Sequence, residues 1–401
     1  MIKTIDECFF QIQNGANIKQ GDIEGGYPIT RIETTANDKF NRDRMGYAGI
    51  TDLLKYESYV LEDGDLLMSH INSVQYLGRT VLYCKQPNET IIHGMNLLRL
   101  KARRDVIDPA YARYCFYGHP FRSQVGNITK KSVNQASFAV KDLKQIKIDI
   151  PSIDEQRKVV AVLDKIQKII DRRNEELNAL DDLIKARFVE MFGDPATNPY
   201  NWDKINISEV VGDKVSNGFF AKRDDYADDG NVSVMGVAYI VNRMYSQWQD
   251  LPRTNGTDKD IEKFEVKYGD MLFCRSSLVA EGIGKASIVP EDVPQNTLFE
   301  CHVIRLPLDL SKCVPEYMQV FSTMEYFRRQ IIAQSKTATM TTIGQDGILK
   351  ADILLPPMSK QREFYAFVHQ VNKSKFDTMT FAPIYAIINL YLHAHFYQGR
   401  R

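Results

Sequence analysis

The sequence lacks the features that would place the chain in a disulfide-rich, zinc-binding, secreted or membrane class. Its six cysteines form no C-x-x-C pair, so neither a zinc module nor a disulfide framework is indicated. Met1 to Phe10 contains no basic region followed by a long apolar run, so no secretory signal is predicted. The apolar stretch 381–397 contains polar residues and is too short for a spanning helix. A cytoplasmic location is therefore expected.

The sequence also has no excess of charge of one sign. It contains 51 Lys and Arg and 51 Asp and Glu, whereas a protein that binds DNA by itself usually carries a basic footprint. Residues 1–153 contain 20 basic and 17 acidic side chains, and residues 195–357 contain 17 and 22. Contact with DNA would therefore have to come from local clusters of polar side chains, with partners supplying further charge.

No motif for independent catalysis is present. An Asn/Asp-Pro-Pro-aromatic loop, expected of a base methyltransferase, is matched by neither Asn198-Pro199-Tyr200 nor Leu355-Pro356-Pro357-Met358. Gly284-Lys285 lacks both the upstream glycine and the following hydroxyl residue of a phosphate-binding loop. The seven histidines form no pair at the four-residue spacing of a helical metal site. We expect no catalytic residue, no metal ligand and no cofactor of the chain's own.

What the sequence does contain is an internal repeat with an offset of 205 or 206 residues. Each Gly-Asp pair in the repeat opens an apolar run, as at a turn that leads into a strand. The matching pairs, which keep their order along the chain, are Gly64-Asp65 with Gly269-Asp270, Gly78-Arg79 with Gly284-Lys285, Phe121-Arg122 with Phe327-Arg328, Ile150-Pro151 with Leu355-Pro356, and Gln156-Arg157 with Gln361-Arg362. The repeat predicts two similar domains of mixed α/β (α+β) class, each followed by a helix.

The boundaries follow from the repeat and from helix signals. We predict domains at 1–152 and 195–357, a long helix within 153–194 and a second long helix within 358–401. The first helix should run from Asp154 to Phe192, with a capping pattern before it and Gly193 after it. Pro383 should kink or break the second.

Apolar residues recur in both helices at alternating spacings of three and four residues, which predicts a seam between paired helices. The seam positions are Leu163, Ile166, Ile170, Leu177, Leu180 and Ile184 in the first helix, and Phe364, Phe367, Val371, Phe381 and Ile388 in the second. A dimerisation coiled coil between two chains has the same periodicity. The duplication favours pairing within one chain.

Candidate DNA contacts are segments that combine basic, amide and hydroxyl side chains, because these groups hydrogen-bond base edges and phosphates. Two of them, at residues 129–135 and 334–339, lie between a helix and a strand in matching places of the repeat. A merely solvated turn is the alternative for each. The candidates are Arg42, Arg44, Lys130, Lys131, Asn134, Gln135, Lys222, Arg223, Arg275, Ser276, Lys336 and Thr337.

The duplicated pattern of Gly-Asp, Gly-Arg or Gly-Lys, Ile-Pro or Leu-Pro and Gln-Arg, with one helix ending in Met191-Phe192-Gly193-Asp194, resembles type I restriction-modification specificity subunits. The resemblance implies two target-recognition domains, each reading one half of a split site in double-stranded DNA, and two antiparallel helices that set their separation. It also implies docking of two methyltransferase subunits, with motor-nuclease subunits as further partners. S-adenosylmethionine, ATP and Mg²⁺ are then expected on those partners only.

The second copy departs from this pattern at its helix. Lys360 stands where Glu155 would be expected, and Tyr397-Gln398-Gly399 replaces Phe192-Gly193-Asp194. Equal docking on the two helices does not follow from the resemblance. A coiled-coil scaffold without DNA affinity and a complete modification enzyme with an unrecognised active site are the alternative functions.

Overall fold

The computed structural model describes residues 1–21, 25–132, 135–338 and 340–378. Of the described residues, 1–173 belong to one compact unit and 174–378 to another. Both units contain helices and strands, so the predicted mixed α/β class is confirmed. The predicted seam positions Phe381 and Ile388, the kink at Pro383 and the candidate contact Asn134 lie outside the described residues.

The first and the last strand of the first unit pair with each other. Its strands are Ile2–Thr4 (β1), Phe9–Asn14 (β2), Leu66–Ser69 (β3), Ile71–Asn72 (β4), Thr80–Leu82 (β5), Leu97–Ala102 (β6), Lys130–Lys131 (β7), Ala136–Ser137 (β8) and Lys147–Asp149 (β9). Its helices are Ile5–Cys8 (α1), Pro109–Tyr117 (α2), His119–Ile128 (α3), Val140–Lys144 (α4) and the start of Ile153–Phe192 (α5). The antiparallel pair β1 and β9 aligns Ile2 with Asp149.

The core of the first unit is built around an antiparallel sheet in the order β2-β6-β3-β5. All four residues of β3 are buried. Gly64 begins the turn before it with a φ of 90°, a conformation that favours glycine. Asp65 then accepts a hydrogen bond from the Glu62 N–H at 2.8 Å. The predicted turn into a strand is therefore confirmed.

The second unit has a sheet of the same kind. Its strands are Asp203–Asn206 (β10), Ser216–Asn217 (β11), Val232–Met235 (β12), Arg253–Thr254 (β13), Asp270–Cys274 (β14), Ser276–Ser277 (β15), Ala286–Ile288 (β16), Thr297–Phe299 (β17), Val303–Pro307 (β18), Lys336–Thr337 (β19), Thr341–Thr342 (β20) and Asp352–Leu355 (β21). Its helices, besides the end of α5, are Asp258–Phe264 (α6), Pro315–Thr323 (α7), Glu325–Gln334 (α8), Gln345–Leu349 (α9) and Met358–Thr378 (α10). The central antiparallel sheet has the order β11-β18-β14-β16.

The turn before β14 matches the turn before β3. Gly269 has a φ of 83°, and Asp270 accepts a hydrogen bond from the Lys267 N–H at 2.8 Å. The antiparallel pair β10 and β21 aligns Asp203 with Leu355. Each unit therefore has paired first and last strands and a central sheet entered by a Gly-Asp turn.

The helix predicted from Asp154 to Phe192 is present as the 40-residue α5. Ser152 and Glu155 cap its start reciprocally: the Glu155 carboxylate accepts from the Ser152 N–H at 3.0 Å and from its hydroxyl at 2.8 Å. Gly193 follows the helix with a φ of 77°, as a C-terminal glycine commonly does. None of residues 164–183 is buried.

A buried glutamine in the first turns of α5 fixes the helix to the first unit. Gln156 is fully buried; its side-chain oxygen accepts from the Asp108 N–H at 2.8 Å, and its amide donates to the Val106 and Pro151 carbonyls, each at 3.0 Å. Because all these polar groups are paired, burying the amide costs little. Gln156 therefore fixes the position of the helix start.

Gln361 has the same role at the start of α10. It is fully buried, accepts from the Val314 N–H at 2.8 Å and donates to the Pro356 carbonyl at 2.8 Å and the Lys312 carbonyl at 3.3 Å. The repeated Gln-Arg pair of the sequence thus corresponds to a repeated set of hydrogen bonds.

The predicted seam positions divide between the two units. Leu163 is buried in the core of the first unit and Ile166 packs against that core. Ile184 is buried in the second unit's core together with Phe364 and Val371 of α10, and Leu180 and Phe367 pack against it. Ile170 and Leu177 are half-buried.

The ends of α5 and α10 run in opposite directions within the second unit. Arg187 of α5 pairs with Glu363 at 3.5 Å, whereas Asp181, farther toward the start of α5, pairs with Lys375, farther along α10. Next to the Arg187–Glu363 pair, the ring of Phe364 lies 5.6 Å from that of Phe188 and 5.5 Å from that of Phe192. Aromatic contacts therefore dominate this helix pair.

All six cysteines are free thiols. In the parts of the chain that the structure covers, no helix is both long enough and apolar enough to cross a bilayer.

Candidate nucleic-acid interface

Three short strands of the first unit bring together residues that are distant in sequence. The antiparallel sheet has the order β4-β8-β7 and pairs both Ile71 and Lys130 with Ser137. Lys130 and Lys131 are exposed on its edge strand. The segment was expected to be a loop, but because β8 supplies a hydrogen-bonding partner it forms a hairpin instead.

The turn of this hairpin holds another candidate residue. The Gln135 carbonyl accepts both the N–H and the hydroxyl of Ser132, each at 2.8 Å, and the Gln135 side chain is exposed. Its amide is therefore displayed near two lysines, as a group that hydrogen-bonds bases would have to be.

The second unit has a corresponding sheet in the order β15-β20-β19. Ser276 and Lys336 both pair with Thr342, and the Thr337 hydroxyl lies 3.0 Å from that of Thr341. Lys336 and Thr337 are exposed. The structure thus places Ser276 on the same sheet as Lys336 and Thr337, although about 60 residues separate them in sequence.

Arg275 precedes this sheet and is held by backbone contacts. Its N–H donates to the His302 carbonyl at 2.9 Å, and its guanidinium donates to the Cys301 carbonyl at 3.2 Å. The guanidinium is half-buried. Of its five N–H donors, this hydrogen bond uses one, so the group remains able to bind a phosphate or a base edge.

Arg42 and Arg44 lie on a 3-10 turn. This turn is distant in sequence from the two small sheets and is not hydrogen-bonded to them as a strand. The Arg42 guanidinium forms a two-bond ion pair with Glu89 at 2.7 and 2.8 Å and lowers the pKa of that carboxyl to about 2. Such a pair leaves little net charge for a phosphate. Arg44 is exposed and is the more suitable contact of the two.

Lys222 and Arg223 lie at the start of another 3-10 turn. Lys222 is exposed, and its N–H donates to the Asp225 carboxylate at 2.8 Å. Asp224 and Asp225 follow directly, so this turn carries as many acidic as basic residues. The local charge is less favourable for DNA than that of β7.

Sequence reasoning missed the apolar residues that follow β4 and β15. Val74 and Tyr76 are 50% and 37% exposed in the first unit, and Leu278 and Val279 are 83% and 58% exposed in the second. Side chains of this kind contact thymine methyl groups or wedge between base steps in protein–DNA complexes. Their matching places in the repeat were the signal that could have identified them.

One cluster beside β15 offers ligands for a metal ion. Glu300, Cys301 and His302 each have a ligand atom within 4.8 Å of the others. His302 Nδ1 lies 3.1 Å from the Ser276 hydroxyl, and burial raises the pKa of the Cys301 thiol. The three residues are consecutive in the chain, so their closeness needs no metal ion to explain it.

Residues 3–181 match the family model described as the type I restriction modification DNA specificity domain. This segment of the chain is therefore similar to DNA specificity domains of type I restriction-modification systems. Among its relatives, the provisionally named MjaX type I restriction enzyme specificity subunit of Methanocaldococcus jannaschii is 31% identical over 212 residues, which are 53% of this chain and 50% of that protein. The EcoKI specificity subunit of Escherichia coli K12 is 24% identical over 185 residues, 44% of this chain and 39% of that protein.

The chain thus spans about half the length, or less, of these two curated relatives. Among solved structures, the type I restriction-modification S subunit of M. genitalium is 10% identical, with 98% of this chain and 94% of that chain covered and a TM-score of 0.49.

Proposed function

We propose that the chain is the non-catalytic specificity subunit of a type I restriction-modification enzyme, and that each unit reads one half of a bipartite DNA target. The observation that carries this proposal is the small three-stranded sheet present in both units. Each sheet displays exposed lysine together with amide or hydroxyl side chains, and the first lies within the segment that matches the DNA specificity domain.

The duplication of the fold supports a division of labour between equivalent domains. The Tyr111 hydroxyl donates to the Asp149 carbonyl at 3.4 Å, and the Tyr317 hydroxyl donates to the Leu354 carbonyl at 2.6 Å. Together with the matching Gly-Asp turns and buried glutamines, these contacts favour two copies of one recognition domain, bounded as predicted from the sequence.

The helices have the dimensions of a spacer. A continuous helix of 40 residues is roughly 60 Å long. We propose that α5 and the second helix pair as an antiparallel coiled coil that sets the spacing of the two half-sites. The helices also dock two methyltransferase subunits, and motor-nuclease subunits complete the enzyme. Cofactors then belong to those partners.

One exposed apolar series on α5 supports docking of a partner. Val162, Ile169 and Leu183 are 37%, 48% and 46% exposed and are spaced by seven residues or a multiple of seven. Side chains at this spacing lie on one side of a helix in coiled-coil packing. Burying them would stabilise a complex by about 25 cal/mol for each Å² removed from water.

The proposal is tested by substituting the lysines of β7. We expect Lys130→Ala with Lys131→Ala to weaken binding of the chain, assembled with its methyltransferase, to target DNA. Each lost phosphate contact should reduce the slope of log affinity against log salt by about 0.9. Fluorescence anisotropy of a labelled duplex at several salt concentrations measures both effects.

The matched control is Lys55→Ala with Lys85→Ala, two exposed lysines of the same unit outside the small sheet. It removes equal charge and should leave the slope unchanged. Equal slopes for both variants would exclude β7 from the interface. Absence of duplex binding by the native complex would favour the scaffold alternative, and S-adenosylmethionine turnover by the chain alone would favour the complete enzyme.

A further inference from the structure

The second unit contains a pocket of about 350 Å³ whose lining is strongly basic. Lys185 of α5, Arg243, Lys285 and Arg328 contribute cations to it. Among the described residues that line it, Asp181 is the one carboxylate, and it is already paired with Lys375. A basic pocket is unexpected here because residues 195–357 carry more acidic than basic side chains.

The donors of the pocket are not used up by the protein. Arg328 Nη2 donates to the Glu281 carbonyl at 3.0 Å, but Arg328 Nη1 is buried and has no hydrogen-bond partner among the residues that the structure describes. Lys285 Nζ donates to the Asn242 side chain at 2.7 Å, which uses one of its three protons. In the part of the chain that the structure describes, no carboxylate pairs with Arg243, Lys285 or Arg328.

A buried donor without an acceptor is destabilising and calls for an explanation. Burial also lowers the pKa of the Arg328 guanidinium, so its charge is held at some energetic expense. An anion that accepts from Arg328 would recover both costs. Phosphate suits the pocket best, because its several oxygens accept from arginine and lysine together.

The matching cations of the first unit are satisfied internally. Arg79, the counterpart of Lys285, pairs with Asp38 at 2.8 Å. Arg122, the counterpart of Arg328, donates to the Leu77 carbonyl at 2.5 Å and to the Gln75 carbonyl at 3.1 Å. At these matching positions, the cations of the first unit bind other protein groups, whereas those of the second unit keep hydrogen-bond donors that no protein group among the described residues accepts.

The other lining residues are mixed: four are apolar, and Asn242, Gln319, Ser322 and Thr323 are polar. Ile184 and Val320 are buried at 2% exposure each, Ala286 at 6%, and Met244 packs against the same core. Apolar side chains in the same pocket as these cations suit a phosphate attached to a less polar sugar or base.

We propose that this pocket binds a phosphate group through Arg243, Lys285 and Arg328. The phosphate is supplied either by the backbone of bound DNA or by a free nucleotide. The first source rests on the proposed function, whereas the second does not. In either case the second unit has an anion site that the first unit lacks at the matching positions.

The test uses the full chain and pyrophosphate as the probe, measured by isothermal titration calorimetry. Arg243→Gln with Lys285→Gln should weaken pyrophosphate binding about 10-fold or more for each lost charge-assisted contact. Lys214→Gln with Lys259→Gln, two exposed lysines of the same unit outside the pocket, removes equal charge and should leave the affinity within about 2-fold, because distant surface charges are screened by salt. Equal affinities for the two variants, or no binding to the native chain, would overturn the proposal.

A duplex then identifies the source of the phosphate. If target DNA displaces pyrophosphate and the pocket variant binds DNA more weakly than the control variant, the site takes a backbone phosphate. If pyrophosphate stays bound beside DNA, the site takes a free nucleotide. Failure of the native chain to bind DNA within the assembled complex counts against the proposed function and leaves the pyrophosphate result standing.

Discussion

Arg99 and Arg305 hold matching positions in the central sheets of the two units, yet their surroundings differ. Arg99 is 2% exposed and donates to the Ser58 carbonyl at 2.6 Å, the Val60 carbonyl at 2.9 Å and the Gln13 side chain at 3.0 Å. Its guanidinium on β6 therefore holds the backbone of residues 58–60 and the neighbouring strand β2 in place.

Arg305 is 9% exposed, and its one side-chain hydrogen bond within the described residues goes to the Glu265 carbonyl at 2.7 Å. Both arginines lie 3.9 Å from the aspartate of their Gly-Asp turn, Asp65 or Asp270. Duplication thus preserved the buried ion pair but not the hydrogen bonds around it. A shared motif locates a side chain without fixing how much it contributes to stability.

The largest effect is expected from removing these arginines one at a time. Arg99→Met should destabilise the first unit by about 3–5 kcal/mol, because it leaves a buried carboxylate and several carbonyls without a partner. Arg305→Met should cost the second unit about 1–3 kcal/mol, since fewer groups lose a hydrogen bond. Hydrogen exchange followed by mass spectrometry reports on the two units separately. Equal losses would show that the ion pair alone determines both contributions.

A smaller effect is expected from acidification, with opposite signs in the two units. Burial lowers the pKa of His70 to about 4 and of His93 to about 3 in the first unit. An unfolded histidine titrates near 6.5, so the stability from keeping these rings neutral is complete above that pH. It is lost as the pH falls toward the folded-state values. At pH 5.5 the loss should be about 1.4 kcal/mol per histidine.

Asp270 of the second unit should respond in the other direction. Burial raises the pKa of its carboxyl to about 6 from an ordinary value of 3.8. Its ionisation therefore costs stability above pH 6, and this cost disappears as the pH falls toward 3.8. Between pH 7 and 5.5 the second unit should gain less than about 1 kcal/mol from this group. Trp202 and Trp248 both lie in this unit, so their fluorescence monitors its unfolding. If both units lost stability on acidification, the stabilising effect assigned to Asp270 would be contradicted.

The smallest effect concerns the two helix starts. Ser152→Ala should destabilise the first unit by about 1 kcal/mol, because the reciprocal cap of α5 is lost. Pro357 and Lys360 stand at the matching places before and in α10. Pro357→Ser with Lys360→Glu should therefore create a cap and stabilise the second unit by about 0.5–1 kcal/mol. Denaturant titration of both variants measures the changes, and a destabilised second unit would show that Pro357 already fits its site better.

The sequence predicted best what depends on neighbouring residues. The cap of α5, the glycine after it and the Gly-Asp turns each require only a few adjacent side chains, and all are present. The ends of a helix are therefore accessible to sequence reasoning. The hairpin that contains Lys130 and Lys131 was not predicted, because lysine has little preference for strands. The hairpin strands also form a sheet with β4, which lies some 60 residues earlier in the sequence.

The candidate DNA contacts also depend on residues that are distant in sequence. Nothing near Arg42 in the sequence indicates that Glu89 neutralises it, since 47 residues separate the two. The basic pocket of the second unit likewise combines residues from α5 to α8. Periodicity identified apolar positions on the helices, but it could not show that Leu163 and Ile184 contribute to the cores of different units.

The paired first and last strands of each unit have a mechanical consequence. In β10 and β21 the register places Asp203 opposite Leu355, where the chain enters and leaves the pair, and Asn206 opposite Asp352 at the far end. Tension applied between the two ends would load the ladder at Asp203 and Leu355 first and then open it one residue pair at a time. Such unzipping meets the resistance of a single pair, whereas shearing would meet that of the whole ladder. The same holds for β1 and β9, where Ile2 faces Asp149, so each unit should open from its ends under a small pulling force.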